Sequence, residues 1–375
     1  MARIGIVSTY LPQKCGIATY TDYLVNGFLK VKDDLEIKII CEQGAEYKEI
    51  PKFKAIPCWS RKKDYVEPIL KESQDVDVVH IQHEYSIYTF DDRLPRLLQQ
   101  LNKPKVITIH CVRPAQFSER GKVDEEYAAK IAELADKVIV HLHSQKDILT
   151  RLGIDSRKIH VIPHGTEISN ADKIESRKRL NLPLQGKILT MFGFVKQHKC
   201  AHIVLEALKQ MHETLEDVYL FIAGGLTSSP KPKDVTYVEF LQRRIRELAL
   251  EPFVIFPNRF LPNEDVPYIL GASDIVLFPY YEEDRSSSGG FHLAIGALRP
   301  IIAARIPKFE ELSEISDELL ILPYNVEGLA NVALRILTDK EFYNYITERT
   351  KRYRELTSWK NTAKKHLEVY KAFLR

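Results

Sequence analysis

Short apolar runs alternate with longer amphipathic ones along the whole chain. In the first half the short runs are "RIGIVS" (3–8), "EIKIIC" (36–41), "DVVHIQ" (77–82), "KVITIH" (105–110), "KVIVHL" (137–142) and "KIHVI" (158–162). They are rich in Val and Ile and lack strict alternation. That pattern belongs to strands covered on both faces, and so to a parallel sheet. Between them lie stretches with helical spacing, such as "GIATYTDYLVNGFLK" and "DEEYAAKIAELAD". The second half repeats the scheme with "KILTMF" (187–192), "VYLFIAG" (218–224), "FVIF" (253–256), "DIVLFP" (274–279) and "PIIAAR" (300–305). Strand–helix alternation of this kind predicts two doubly wound, Rossmann-like α/β domains in tandem, with ligands in the cleft between them at the carboxyl ends of their strands.

The polar stretch "ISNADKIESRKRLNLPL" (168–184) marks the boundary. The expected division is 1–172, then 173–357, then a closing helix at 358–375. Ser358 is placed to cap that helix, and Ala363, Leu367, Tyr370 and Leu374 form its apolar stripe. "CVRPAQFSERGKVDEEY" (111–127) and "LTSSPKPKDVTY" (226–237) read as exposed loops. A length of 375 residues fits two domains. The balance of 54 basic and 51 acidic residues argues against a dedicated nucleic-acid binder. No apolar run reaches the roughly 18 residues that span a bilayer. Five scattered cysteines without a CxxC pair fit free thiols in a reducing cytoplasm. The segment 339–375 carries ten Lys or Arg against five Asp or Glu, with Tyr and Trp interleaved. It reads first as an exposed helical face and second as a peripheral contact with an anionic membrane.

The chemistry concentrates where strands end. GxGxxG, GxxxxGK[ST], HExxH and G-x-S-x-G are all absent, which argues against dinucleotide enzymes, P-loop NTPases, HExxH metalloproteases and serine hydrolases. After the first strand, Gly16 lets the backbone approach a ligand and Ile17 starts a helix. In "MFGFVKQHKC", Gly193 and Phe194 follow a strand and Lys199 precedes a long helix, where it can meet a phosphate as a point charge. Arg259 follows another strand and can contact phosphate oxygens bidentately. "DRSSSGGFHLAIGALRP" (284–300) leaves a strand through Ser287, Ser288, Gly289 and Gly290 and enters a helix, a ready anion site. His110 ends the strand "VITIH", and His83 and Glu84 end another. The acidic run Glu282–Glu283–Asp284 reads as a solvated loop, and no metal is expected.

These stretches resemble the retaining, nucleotide-sugar-dependent glycosyltransferases of family 4, which have the GT-B fold. "CGIATY", "VITIH", "VIPHG", "FGFVKQHK", "LFIAGG", "ASDIVLFPY" and "TSWKNTAKKHLEVY" carry the likeness over nearly the whole length. "HIQHEYSIY" and "SSGGFHLAIGALRP" point more narrowly to a mannosyltransferase-like microbial subgroup. The resemblance implies a GDP-sugar or UDP-sugar donor held mostly by the second domain, with its diphosphate against the Ser287–Gly290 helix start, Lys199 and Gly16, and with His110 near the sugar hydroxyls. It implies a carbohydrate, lipid-linked or small-molecule acceptor on the His83–Glu84 side, retention of configuration, no metal or other cofactor and a cytoplasmic setting. The family has two glutamates where this chain has Arg285 and Leu293. Leu293 cannot accept a hydrogen bond from a ribose. Arg285 would add phosphate charge, or Glu282 or Glu283 would replace the missing acid. Phe194 stands where the family has an arginine, so Arg259 becomes the candidate second cation. A sugar-nucleotide epimerase, a sugar phosphorylase or a non-catalytic homologue on the same fold stays open as the alternative.

Overall fold

The computed structural model describes every residue except Met1, Asp33, Phe260, Glu283, Asp284 and Arg375, together with the backbone alone of Arg285. The chain divides into two compact units. The first takes the described residues of Met1–Gly165, Glu283–Ser287 and Thr357–Arg375; the second takes those of Thr166–Glu282 and Ser288–Leu356.

In the first unit the strands are β1 (Ala2–Ser8), β2 (Leu35–Glu42), β3 (Lys48–Ile50), β4 (Phe53–Trp59), β5 (Val78–His83), β6 (Lys105–Ile109), β7 (Cys111–Val112), β8 (Lys137–Val140) and β9 (Ile159–Val161). Its sheet runs β3-β4-β2-β1-β5-β6-β8-β9. The neighbours pair in parallel except the edge strand β3, which lies antiparallel to β4. The helices are α1 (Gly16–Val31), α2 (Val66–Glu72), α3 (Arg93–Gln100), α4 (Lys122–Leu134) and α5 (His143–Arg151). The segment 111–127, expected as a loop, holds β7, a short 3-10 turn and the start of α4. The reason is an anchor: the fully buried Asp124 carboxylate accepts from Arg113 at 2.9 Å and from Ser118 at 2.7 Å.

In the second unit the strands are β10 (Lys187–Phe192), β11 (Val218–Ala223), β12 (Val254–Ile255), β13 (Ile275–Phe278), β15 (Ile301–Ala304) and β16 (Leu320–Ile321). The pair β14 (Arg285–Ser286) intervenes in the chain and joins β7 antiparallel, within the first unit. The second sheet runs β12-β11-β10-β13-β15-β16, all parallel. Its helices are α6 (Lys173–Arg179), α7 (Ala201–Met211), α8 (Pro232–Glu247), α9 (Val266–Ala272), α10 (Gly289–Gly296), α11 (Val326–Thr338) and α12 (Lys340–Thr357). The 168–184 segment is therefore no bare linker. Its helix α6 is pinned by the buried Arg177, which meets Asp274 at 2.7 Å and the carbonyls of Ala272, Leu184 and Gly186. The second expected loop, 226–237, is helical from Pro232, a residue well suited to the first turn of α8.

The last helix, α13 (Trp359–Tyr370), belongs to the first unit, where it packs along α1. Ser358 caps it by accepting from the Asn361 amide. Trp359 explains two glycines. A methyl on Gly27 would lie 2.6 Å from the Trp359 carbonyl oxygen, and one on Gly165 would lie 2.3 Å from the indole ring.

Both sheets begin with a strand that ends up inside the sheet, β1 in one and β10 in the other. Strand order reverses at each, and the carboxyl end of a strand at such a switch point is where open α/β sheets bind ligands. Gly16 follows β1, and the Gly193–Lys199 loop follows β10.

Candidate functional site

In the second unit three strand ends are drawn together by glycine. Gly193 leaves β10 at φ +94° and donates its amide to the Ala223 carbonyl at 3.1 Å. A side chain on Gly224 would lie 2.1 Å from the Gly193 oxygen, and one on Gly225 would lie 2.5 Å from the Arg259 nitrogen. The Val195 amide closes the arrangement on the Gly225 carbonyl at 2.9 Å. The pair Gly224–Gly225 was legible only as part of the family likeness; its physical role is backbone approach. These glycines line a pocket of about 250 Å³ with Phe194, Gly290 and apolar side chains including Leu293. At Leu293 the wall offers no hydrogen bond. Phe194 is exposed and Arg259 is exposed on its loop.

Lys199 comes into the same place. A methyl on Gly193 would stand 3.0 Å from its Nζ, and the ammonium lies 5.3 Å from the centre of the Tyr280 ring. Burial pushes its pKa down to about 8, helped by Lys196 and Lys308 and opposed by Glu282. Among the described residues no carboxylate forms an ion pair with Lys199. Glu282 is held instead by Lys308 at 2.6 Å, with His198 at 3.7 Å. A desolvated cation without a direct counter-charge is a strong attractor for an anion.

The helix start expected at the SSG turn is α10. Ser288 is its N-cap, accepting from the Phe291 amide at 3.3 Å, and Gly289 and Gly290 form the first turn. No acidic residue occupies that turn. Ser287 precedes the cap on the first-unit side of the division. Of the other expected donor residues, Glu283 lies outside the described residues, and Arg285 is placed by its backbone pairing with Val112.

In the first unit α1 starts at Gly16 without a side-chain cap, and nothing lies within 4 Å of where a Gly16 side chain would be. Ile17 packs against the core, so only its backbone can serve a ligand. His110 is nearly buried, and both ring nitrogens are engaged. Nδ1 meets His141 Nε2 at 3.0 Å, and Nε2 meets the Gln82 side-chain amide at 2.8 Å. His141 Nδ1 lies 2.9 Å from the Ile162 carbonyl. A carbonyl only accepts, so neutral His141 carries its proton on Nδ1 and His110 donates to it from Nδ1. Gln82 turns its Oε1 toward His110 Nε2 as placed, so this tautomer requires the Gln82 amide oxygen and nitrogen to be exchanged. Burial, then the neighbouring histidines, hold the His110 pKa well below the usual range. Gln82 and His141 escaped the sequence reading, although each ends an apolar strand run as His110 does.

The expected acceptor residues are differently placed. His83 is fully buried, its ring stacked on Tyr88 at 5.9 Å and edge-on to Tyr85 at 5.1 Å. Burial lowers its pKa to about 3. Apolar surroundings, not solvent, receive this histidine. Glu84 turns its carboxylate onto the Ser86 amide at 2.7 Å. Among the described residues no group of three or more His, Cys, Asp or Glu could hold a metal ion, and no helix is long and apolar enough to cross a membrane.

Two parallel-sheet α/β units, each with a switch-point loop, define the chain as a protein of the GT-B glycosyltransferase fold. Residues 15–170 match the family described as Glycosyltransferase Family 4, and residues 172–353 match Glycosyl transferases group 1. The chain belongs to the family 4-like GT-B glycosyltransferases. Among solved structures it is similar to Anabaena Alr3699/HepE in complex with UDP and glucose, with a TM-score of 0.71 at 17% identity, covering 99% of this chain and 100% of that one. It is also similar to a glycosyltransferase from Rickettsia africae, with a TM-score of 0.75 at 19% identity, covering 99% and 98% of the two chains. Among curated proteins, 2-deoxystreptamine glucosyltransferase of Streptomyces kanamyceticus is 23% identical over 63% of this chain and 62% of its own length. D-inositol 3-phosphate glycosyltransferase of Corynebacterium urealyticum is 26% identical over 65% and 58%. The match thus spans about three fifths of the length of these two relatives.

Proposed function

We propose that the chain transfers a hexose, mannose or glucose, from a UDP- or GDP-sugar to a carbohydrate, lipid-linked or small-molecule acceptor. The transfer retains anomeric configuration and uses no bound metal. The observation that carries the reading is the half-buried Lys199 ammonium, which forms no ion pair with a carboxylate among the described residues, beside a glycine-lined strand edge in the second unit. Such a site holds a phosphate through charge and close backbone approach. In this reading Lys199, Arg259 and the α10 start with Ser287, Ser288, Gly289 and Gly290 serve the diphosphate, and the pocket at Gly193, Phe194 and Leu293 takes the nucleoside. Gly16 and His110 take the phosphate and sugar roles that the family likeness implies. The Anabaena structures with UDP and UDP-glucose support a nucleotide-sugar donor, and the glucosyl- and glycosyltransferases among the relatives support the transfer.

Calorimetric titration with UDP and GDP tests this, repeated on Ser288→Asp. Asp is as good an N-cap as Ser, so the helix is kept while a negative charge enters the anion site. Micromolar binding of one nucleotide, lost by ten- to a hundred-fold in the variant, is expected, about 1.5–3 kcal/mol for one charge-assisted contact. A folded protein that binds neither nucleotide would refute the donor assignment.

A further inference from the structure

A second cavity opens in the second unit, and it shares no lining residue with the pocket at Gly193 and Leu293. Its volume is about 400 Å³, within the range of small-molecule sites. Lys196, Lys231 and Lys233 line it, against a single carboxylate, Asp234. None of the three lysines forms an ion pair among the described residues. Asp234 is buried in the first turn of α8, where it faces the positive end of that helix. The lining therefore carries three lysines against one carboxylate, with Glu282 nearby, 3.7 Å from His198 and paired to Lys308.

Its other wall is aromatic. Tyr281 and Tyr324 are 42% and 50% exposed, with ring centres 5.0 Å apart and planes tilted by 43°. Tyr324 holds its ring there at φ +62°. That left-handed backbone is uncommon for a bulky residue, and such conformations cluster at ligand sites. Neutral polar groups complete the lining: His202 hydrogen-bonds the Tyr237 hydroxyl at 2.9 Å, and burial lowers the pKa of both His198 and His202.

We propose that this cavity binds a phosphorylated monosaccharide. The lysines meet the phosphate as flexible point charges. The tyrosine pair receives the apolar face of the sugar ring, and aromatic faces are amphipathic enough to do so beside water. The site is separate from the donor pocket, yet it touches the same loop: Lys196 and His198 line it, and Lys199 of that loop points to Gly193. This inference stands whether or not the donor reading holds.

The test is titration of the full chain with glucose 6-phosphate and mannose 6-phosphate, with glucose and inorganic phosphate as controls. Two variants accompany it. Lys231→Glu/Lys233→Glu places acid at the start of α8, which suits the helix and preserves folding. Tyr324→Asn fits the left-handed backbone and removes the ring. Submillimolar binding of a hexose phosphate is expected, weakened at least tenfold by each variant, with UDP and GDP titrations unchanged. No binding to the wild-type chain, or binding indifferent to the lysine variant, overturns the proposal. Inorganic phosphate binding as tightly as the sugar phosphate, with Tyr324→Asn without effect, overturns its carbohydrate part.

Discussion

Replacing Lys199 by methionine should move stability and ligand affinity in opposite directions. The side chain keeps its length and loses its charge. Burial holds the Lys199 pKa at about 8 instead of the usual 10.5, which corresponds to about 3 kcal/mol against the charged form at neutral pH. The folded pKa lies below the unfolded one, so the unfolded chain keeps the proton to higher pH. The penalty is therefore fully present below pH 8 and fades as pH rises toward 10.5. Methionine removes it and also relieves repulsion from Lys196 and Lys308, while giving up the attraction of Glu282. A net gain of about 1–3 kcal/mol in the second unit at pH 7 is expected, read as a higher urea midpoint with an unchanged slope. The same variant should weaken UDP or GDP binding ten- to a hundred-fold. In the wild type, nucleotide affinity should fall as pH rises past about 8, and Lys199→Arg should abolish that fall. A Lys199→Met protein that is less stable and binds nucleotide normally would refute the reasoning, because the lysine would then be structural.

Acid should strike the first unit. Burial keeps His80 and His110 well below the usual range, His83 at about 3 and His366 at about 4; each stays neutral when folded and is protonated when unfolded. Each adds about 1.4 kcal/mol of destabilisation per pH unit below about 6.5, until its folded pKa is reached. Both tryptophans, Trp59 and Trp359, lie in that unit, so their fluorescence should report its unfolding, and a transition insensitive to pH between 7 and 5 would contradict this. Two glycines should separate function from fold. Gly16→Ala meets no neighbour within 4 Å, so thermal stability should hold while nucleotide binding weakens; Gly224→Ala meets the Gly193 oxygen at 2.1 Å and should cost about 1–3 kcal/mol of stability as well. Arg259→Ala, at an exposed position, should lower nucleotide affinity without changing the melting temperature, and wild-type affinity and transfer in it would remove Arg259 from the site.

The strands that build the two sheet centres were legible because Val- and Ile-rich runs bounded by polar residues have few other uses. The strand β4 was not. Its sequence "FKAIPCW" contains Pro57, and its burial alternates only in part. The edge strand β3, wholly exposed, carries no hydrophobic signal at all. Lys199, Gly193 and the Ser288 cap could be placed because each follows a readable strand. What escaped was whatever depends on strand order. Gln82, His110 and His141 are 28 and 31 residues apart in sequence and meet only because β5, β6 and β8 are neighbours. The Lys308–Glu282 pair, which removes Glu282 from easy use as a ligand group, is of the same kind. His83 was misplaced because a strand-end histidine can face solvent or core, and the surrounding tyrosines come from segments the strand does not announce.

The first unit is written in the chain in separate pieces, and the ribosome reads them in order. Residues 1–165 emerge first, but the side of α1 at Gly27 and Phe28 also packs against Trp359, Ala363, His366 and Tyr370 of α13. The whole second unit must be synthesised before those residues appear. The half of the molecule made first is thus the half finished last, and its apolar helix face stays available to chaperones for most of translation.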